Sequence, residues 1–176
     1  MSESLMENAS HSEEALERRA PNGVAQPKVV RNELIRADLR APEAASRCPG
    51  IELVGQTIRT LAFSTDLYII RNCNADAVLA AAPFTCQPVI TQALLQVAGR
   101  PILAGVTGAT TSGARSVVLA MESESQGVSA VVANMSAEPE LIRDMTRVID
   151  IPIVATIGAF DDMIGQKIDA GARILN

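Results

Sequence analysis

Histidine is almost missing from this chain: His11 is the only one, and it stands in a polar stretch outside any strand pattern. Ser-His-Asp and Cys-His arrangements are therefore not available. Lysine is nearly as scarce. Lys28 and Lys167 both fall outside the strand patterns, which argues against a Schiff-base aldolase built on a strand lysine. Tryptophan is absent, and Phe63, Tyr68, Phe84 and Phe160 are the whole aromatic complement. The core must then be aliphatic, and aromatic stacking on nucleic-acid bases is nearly excluded. Three cysteines, Cys48, Cys73 and Cys86, form no CxxC or zinc spacing, and their odd number argues against a disulfide framework. A reducing cytoplasm is the simplest setting. No apolar run approaches the roughly 20 residues that span a bilayer. The first 20 residues are rich in Glu and Ser with no apolar segment, so they do not read as a signal peptide. A net charge of −5 disfavours nucleic acid and anionic membrane as partners.

What is present is an α/β rhythm. The 176 residues suit one domain, and 48% hydrophobic content fits a globular core. Residues 1–50 differ from the rest. They mix acidic and basic side chains with Pro21, Pro27 and Pro42, and read as a poorly ordered or loosely docked extension. The rival reading is an arm that caps the bottom of a barrel. Within 51–176, short apolar runs predict strands at Arg59–Phe63, Ala77–Ala81, Ile102–Val106, Ala130–Ala133, Ile153–Thr156 and Arg173–Asn176. Helices lie between them. One opens at Pro88 with Val89, Ile90, Ala93, Leu94 and Val97 on its apolar face. Another opens at Glu138-Pro139 and turns Leu141, Ile142, Met145, Val148 and Ile149 inward.

The chain also repeats itself. Asp76-Ala-Val-Leu-Ala80 matches Ser129-Ala-Val-Val-Ala133, and Pro101-Ile-Leu-Ala104 matches Pro152-Ile-Val-Ala155. A third copy starts at Ala172-Arg-Ile-Leu175 and goes no further. A two-strand module in this arrangement favours a (β/α)8 TIM-type barrel over a doubly wound sheet. The expected fold is thus an incomplete barrel of about six parallel strands behind an N-terminal extension.

Working groups in such barrels sit at the C-terminal ends of the strands. The first strand leads into Ser64, Thr65 and Asp66, and the second into Pro83, Phe84, Thr85 and Cys86. After the third comes Gly105-Val-Thr-Gly-Ala-Thr-Thr-Ser-Gly113, where glycines, hydroxyls and a helix start suit an anion. Thr107, Gly108, Thr110, Thr111, Ser112 and Gly113 are the binding candidates there, with Arg115 adding charge. The plainer reading is a strand-to-helix turn with Ser112 as N-cap. Asp66 is the candidate general acid/base, or else an N-cap for the following helix. Asn134 and Asn176 end strands and would orient substrate oxygens, or else serve local turns. Asp161 and Asp162 read as first-turn helix acids. Cys86 lacks a visible base. The residues call for no metal and no cofactor.

Several stretches are similar to an uncharacterised bacterial family of aldolase-type barrel proteins labelled hydrolases. They are Leu61-Ala-Phe-Ser-Thr-Asp66, Asn74-Ala-Asp-Ala-Val-Leu79, Pro83-Phe-Thr85, Gln87-Pro-Val-Ile-Thr91, the Gly105–Gly113 turn, and Ile168-Asp-Ala-Gly-Ala172 leading into Ile174-Leu-Asn176. The resemblance covers nearly all of Ile58 to Asn176. It implies an aldolase-type barrel whose relatives continue into two more βα units, where such barrels commonly hold phosphate. It also implies a third-strand loop richer in glycine than Thr107-Gly-Ala-Thr110.

The expected function is hydrolysis or lyase chemistry on a small polar metabolite, phosphorylated or not. Asp66, Asn134 and Asn176 would be catalytic, and Ser64, Thr85, the Gly105–Gly113 loop and Arg115 would bind substrate. The competing expectation is a truncated, non-catalytic barrel fragment. Six strands leave two open edges, and those would drive homo-oligomerisation.

Overall fold

The computed structural model describes residues 39–64, 66–81, 85–159 and 162–176. They fall within one compact unit, Leu34–Asn176. His11, Lys28, Thr65, Pro83, Phe84, Asp161 and the expectations for residues 1–38 lie outside the described residues.

The chain enters through a 3-10 turn, Glu43–Arg47, and a hairpin of β1 (Ile51–Leu53) and β2 (Gln56–Ile58). Six strands follow: β3 (Leu61–Phe63), β4 (Ala77–Ala80), β5 (Ile102–Gly105), β6 (Ala130–Ala133), β7 (Ile153–Ala155) and β8 (Ile174–Leu175). The helices between them are α1 (Leu67–Asn72), α2 (Pro88–Ala98), α3 (Ala114–Gln126), α4 (Pro139–Thr146) and α5 (Asp162–Asp169). All six strands are parallel, and each pairs with the next in sequence. The predicted first strand is shorter than expected, because Arg59 and Thr60 give their amides to Asp76 instead of to a ladder.

Strand alternation divides the apolar residues into two cores. Val78, Ala80, Ile102, Ala104, Val131, Ala133, Ile153 and Ala155 face outward onto Ile70, Leu94, Ala120, Ile142 and Met145 of the helices. Ala77, Leu79, Leu103, Ala130, Val132 and Val154 face inward, where Leu53 and Ile58 of the hairpin cover them. The repeated motifs occupy equivalent places: Ala77 and Leu79 correspond in sequence and face to Ala130 and Val132.

The hairpin is the element that the strand pattern does not predict. A two-residue turn joins its strands, with Leu53 opposite Gln56. Both turn residues take positive φ, Val54 at 47° and Gly55 at 72°, as the type I′ turn of a tight hairpin requires. Asn-Gly or Asp-Gly would announce such a turn, but a β-branched valine hides it. Strain of this kind costs about 1–3 kcal/mol. Val54→Asn is therefore expected to raise Tm by roughly 2–4 °C per kcal/mol relieved. An unchanged melting curve would show that Val54 is not strained.

Residues 39–50 run against the N-terminal ends of the strands. Ala41 N–H donates to Asn74 Oδ1, and Arg59 Nε donates to the Cys48 carbonyl at 3.0 Å. Helix α2 departs from its predicted face. Thr91, Leu94 and Ala98 are buried, whereas Val89 and Ile90 are 65% and 50% exposed. The buried stripe begins one residue after the two branched side chains, on the side of the helix that packs on the sheet. On α4, Ile142 and Met145 are buried as expected; beyond its end Ile149 is buried and Val148 is exposed.

Candidate functional site

The loops after β5 and β6 meet above the C-terminal ends of their strands. Thr107 is buried, and its Oγ1 accepts the Asn134 N–H at 2.6 Å, which locks the two loops together. Gly108 and Thr111 exchange backbone hydrogen bonds at 3.0 and 3.2 Å, so the chain folds back on itself before α3. Gly113, at φ 58°, is the N-cap of α3 and offers no side chain. The cap expected at Ser112 is thus one residue further on, and Ser112 is exposed. Thr107, Gly108, Thr111, Ser112, Gly113 and Asn134 all line one cavity of about 710 Å³. It continues between α3 and α4 past Val117, Leu141 and Glu138.

The other candidates stand around this cavity or away from it. Thr110 and Thr85 share a hydrogen bond of 2.6 Å between hydroxyls, tying the loops after β4 and β5. Arg115 is exposed in the first turn of α3 and makes no ion pair among the described residues. Ser64 Oγ accepts the Ala81 N–H at 3.0 Å, closing the ends of β3 and β4. Asp66 is the N-cap of α1: its Oδ1 accepts from Tyr68 N–H at 2.8 Å and Ile69 N–H at 3.3 Å. Asn134 Oδ1 accepts from Ser136 Oγ at 3.2 Å. Asn176 donates from Nδ2 to Thr156 Oγ1 at 3.4 Å and lines a separate inner groove of about 200 Å³ with Leu79, Leu103 and Val132. Ser64, Asp66, Thr85, Thr110, Arg115 and Asn176 are not among the residues lining the large cavity.

Cys86 is buried, and burial pushes its thiol above the usual range against the opposing effect of the Thr111 hydroxyl. It is a thiol at neutral pH, which does not suit a nucleophile. Among the described residues no group of three metal-ligating side chains occurs, and no helix is long and apolar enough to cross a membrane.

Lys167 is the residue sequence reasoning missed. It stands on α5 and is only 2% exposed. Its Nζ donates to the Met135 carbonyl at 2.9 Å and the Thr156 carbonyl at 3.1 Å, joining the loops after β6 and β7. A single lysine in the Gly165-Gln-Lys-Ile-Asp169 run gives no sequence signal for this.

No family model matches the chain, and no curated protein matches it in sequence. Solved structures do match. A 2,3-dimethylmalate lyase of the PEP mutase/isocitrate lyase superfamily aligns with a TM-score of 0.51 and 13% identity, over 66% of this chain and 56% of that one. A FabK variant from Thermotoga maritima aligns with a TM-score of 0.48 and 16% identity, over 65% and 41%. The N-acetylmannosamine-6-phosphate 2-epimerase from Clostridium perfringens gives 0.45 and 13%, over 62% and 52%. The alignments thus cover between about two fifths and three fifths of those proteins. The fold is an incomplete TIM-type barrel, six parallel strands with helices on the outer face.

Proposed function

We propose that this chain is a barrel enzyme of hydrolase or lyase type, acting on a small polar metabolite at the C-terminal face of its strands. One observation carries the reading: the third- and fourth-strand loops border an open cavity lined by Thr107, Gly108, Thr111, Ser112 and Asn134. Strand ends and the loops after them are where barrel enzymes place their chemistry. In this reading the Gly105–Gly113 loop and Arg115 cradle the substrate, phosphorylated or not, and Thr85 and Ser64 steady the neighbouring loops. Asn134 and Asn176 orient substrate oxygens. Asp66, although outside the lining of that cavity, is assigned the general acid/base role through Oδ2, since Oδ1 caps α1. No metal or cofactor enters, and the reducing cytoplasm suits its free thiols.

With a substrate identified from a panel of small polar metabolites and their phosphates, Asp66→Ala is expected to lower kcat about 10²- to 10⁴-fold. Retained turnover would remove Asp66 from catalysis. A second reading, association of copies through the sheet edges without catalysis, is favoured by Phe63 at 62% and Leu175 at 38% exposure on the two edge strands. A monomer that turns over substrate would discard it.

A further inference from the structure

We propose that two copies of this chain pair antiparallel through the outer edge of β3, with Leu61 of each opposite Phe63 of the other. This pairing rests on the second reading, association through the sheet edges, and deepens it by fixing the edge, the register and the partner.

Backbone and side chains both single out β3. Among the described residues it pairs with β4 alone. The Thr60 carbonyl accepts from Ala77 N–H at 3.2 Å, and Ser64 N–H donates to the Leu79 carbonyl at 2.8 Å. Backbone groups alternate sides along a strand, so residues 60, 62 and 64 turn to β4 while Leu61 and Phe63 turn their N–H and C=O outward. No described residue bonds those outward groups. The side chains of Leu61 and Phe63 stand in register with Ala77 and Leu79 on the inner face, yet they are 38% and 62% exposed. Leu61-Ala-Phe63 also lacks the charges, prolines and bulges that guard natural sheet edges. The other edge strand, β8, is two residues long, and a short edge is itself such a guard.

Symmetry and charge name the partner. One edge meets its own copy about a two-fold axis only in the antiparallel sense, and such an isologous contact closes at two copies. With Leu61 opposite Phe63, each such pair exchanges both N–H···O=C bonds, and Ala62 meets Ala62 on the axis. The exposed leucine and phenylalanine then cover each other as cross-strand neighbours. Arg59 precedes the strand and Asp66 follows it. Antiparallel pairing brings each Arg59 beside Asp66 of the second copy, whose Oδ2 the cap of α1 leaves unused. So short an edge places the dimer in the weak, reversible class.

The test is sedimentation velocity of the full chain from about 1 to about 100 μM. A concentration-dependent dimer is expected, with nothing larger. Phe63→Lys should weaken it about 10- to 100-fold, because an isologous contact loses each side chain twice. Asp66→Asn keeps the helix cap and should weaken it about 2- to 5-fold with a flatter salt dependence. Leu175→Lys, on β8, should change nothing. Ala62→Cys, made with the exposed Cys48 replaced by Ser, reads the register. Facing Cα atoms about 4.5 Å apart lie within disulfide reach. Oxidised glutathione should therefore join the two thiols in an intermolecular disulfide and be reduced in turn. Should Ala62→Cys fail to fold, Phe63→Lys and Leu175→Lys decide alone. A monomer at every concentration would overturn this pairing and the association reading together. Wild-type dimerisation by Phe63→Lys, loss of the dimer in Leu175→Lys, a dimer without the crosslink, or growth beyond two copies would each overturn this pairing and leave the association reading standing.

Discussion

Lys167→Met is expected to lower Tm by roughly 10 °C while leaving the secondary structure intact. The substitution keeps the length and apolar stem of the side chain, so the change isolates its polar end. Two carbonyls, of Met135 and Thr156, lose the donor that reaches them at 2.9 and 3.1 Å. Hydrogen bonds from a charged donor contribute about 1.5–3 kcal/mol each. A total of about 3 kcal/mol converts to roughly 6–12 °C in a domain of this size. The loss also reaches the site. Met135 follows Asn134, and Thr156 Oγ1 receives the Asn176 amide, so both asparagine-bearing loops should show faster amide exchange. A shift of under about 2 °C with unchanged exchange would show that Lys167 carries no structural role.

Asp76→Asn is the second large effect, and its signature is a pH dependence. Asp76 closes the N-terminal end of β3: its Oδ2 accepts from Arg59 N–H at 2.8 Å, Thr60 N–H at 2.9 Å and Thr60 Oγ1 at 2.9 Å. Burial is the largest single influence on the carboxyl and works to raise its pKa. The three bonds and the Arg59 charge together outweigh it, so the carboxyl lies below its ordinary value of 3.8. A carboxyl depressed in the folded state stabilises the fold at pH above its unfolded value, and that contribution is lost as pH falls through the folded value. Wild type should therefore exceed Asp76→Asn by about 1–3 kcal/mol near neutrality. The gap should close as pH is lowered below about 4. A gap that stays constant from about pH 7 to about pH 3 would mean the carboxylate charge is not what holds Arg59 and Thr60.

The barrel was legible because its central strands are buried on both faces, and uninterrupted aliphatic runs such as Ala77–Ala80 and Ala130–Ala133 suit such strands better than half-exposed ones. Pro88 and Glu138-Pro139 likewise marked helix starts that the structure keeps. Features fixed by tertiary contact were not legible. Val89 and Ile90 look like core, yet Thr91 is buried in their place, because propensity does not say which side of a helix meets the sheet. The hairpin was hidden by a turn residue that accepts strain. For the site, topology predicts that Thr107 and Asn134 end adjacent strands, but not that they share a hydrogen bond or that the cavity runs outward between α3 and α4.

The strand pairing carries a further consequence. No strand skips a neighbour, and no two paired strands are further apart in sequence than those of Leu103 and Ala130. The molecule is in this respect a one-dimensional array, in which each βα unit is coupled to the units on either side and to few others. Changes in one strand-end loop then perturb a single link and leave distant links intact. A chain built so can exchange the chemistry at its rim unit by unit, while the array beneath keeps its register.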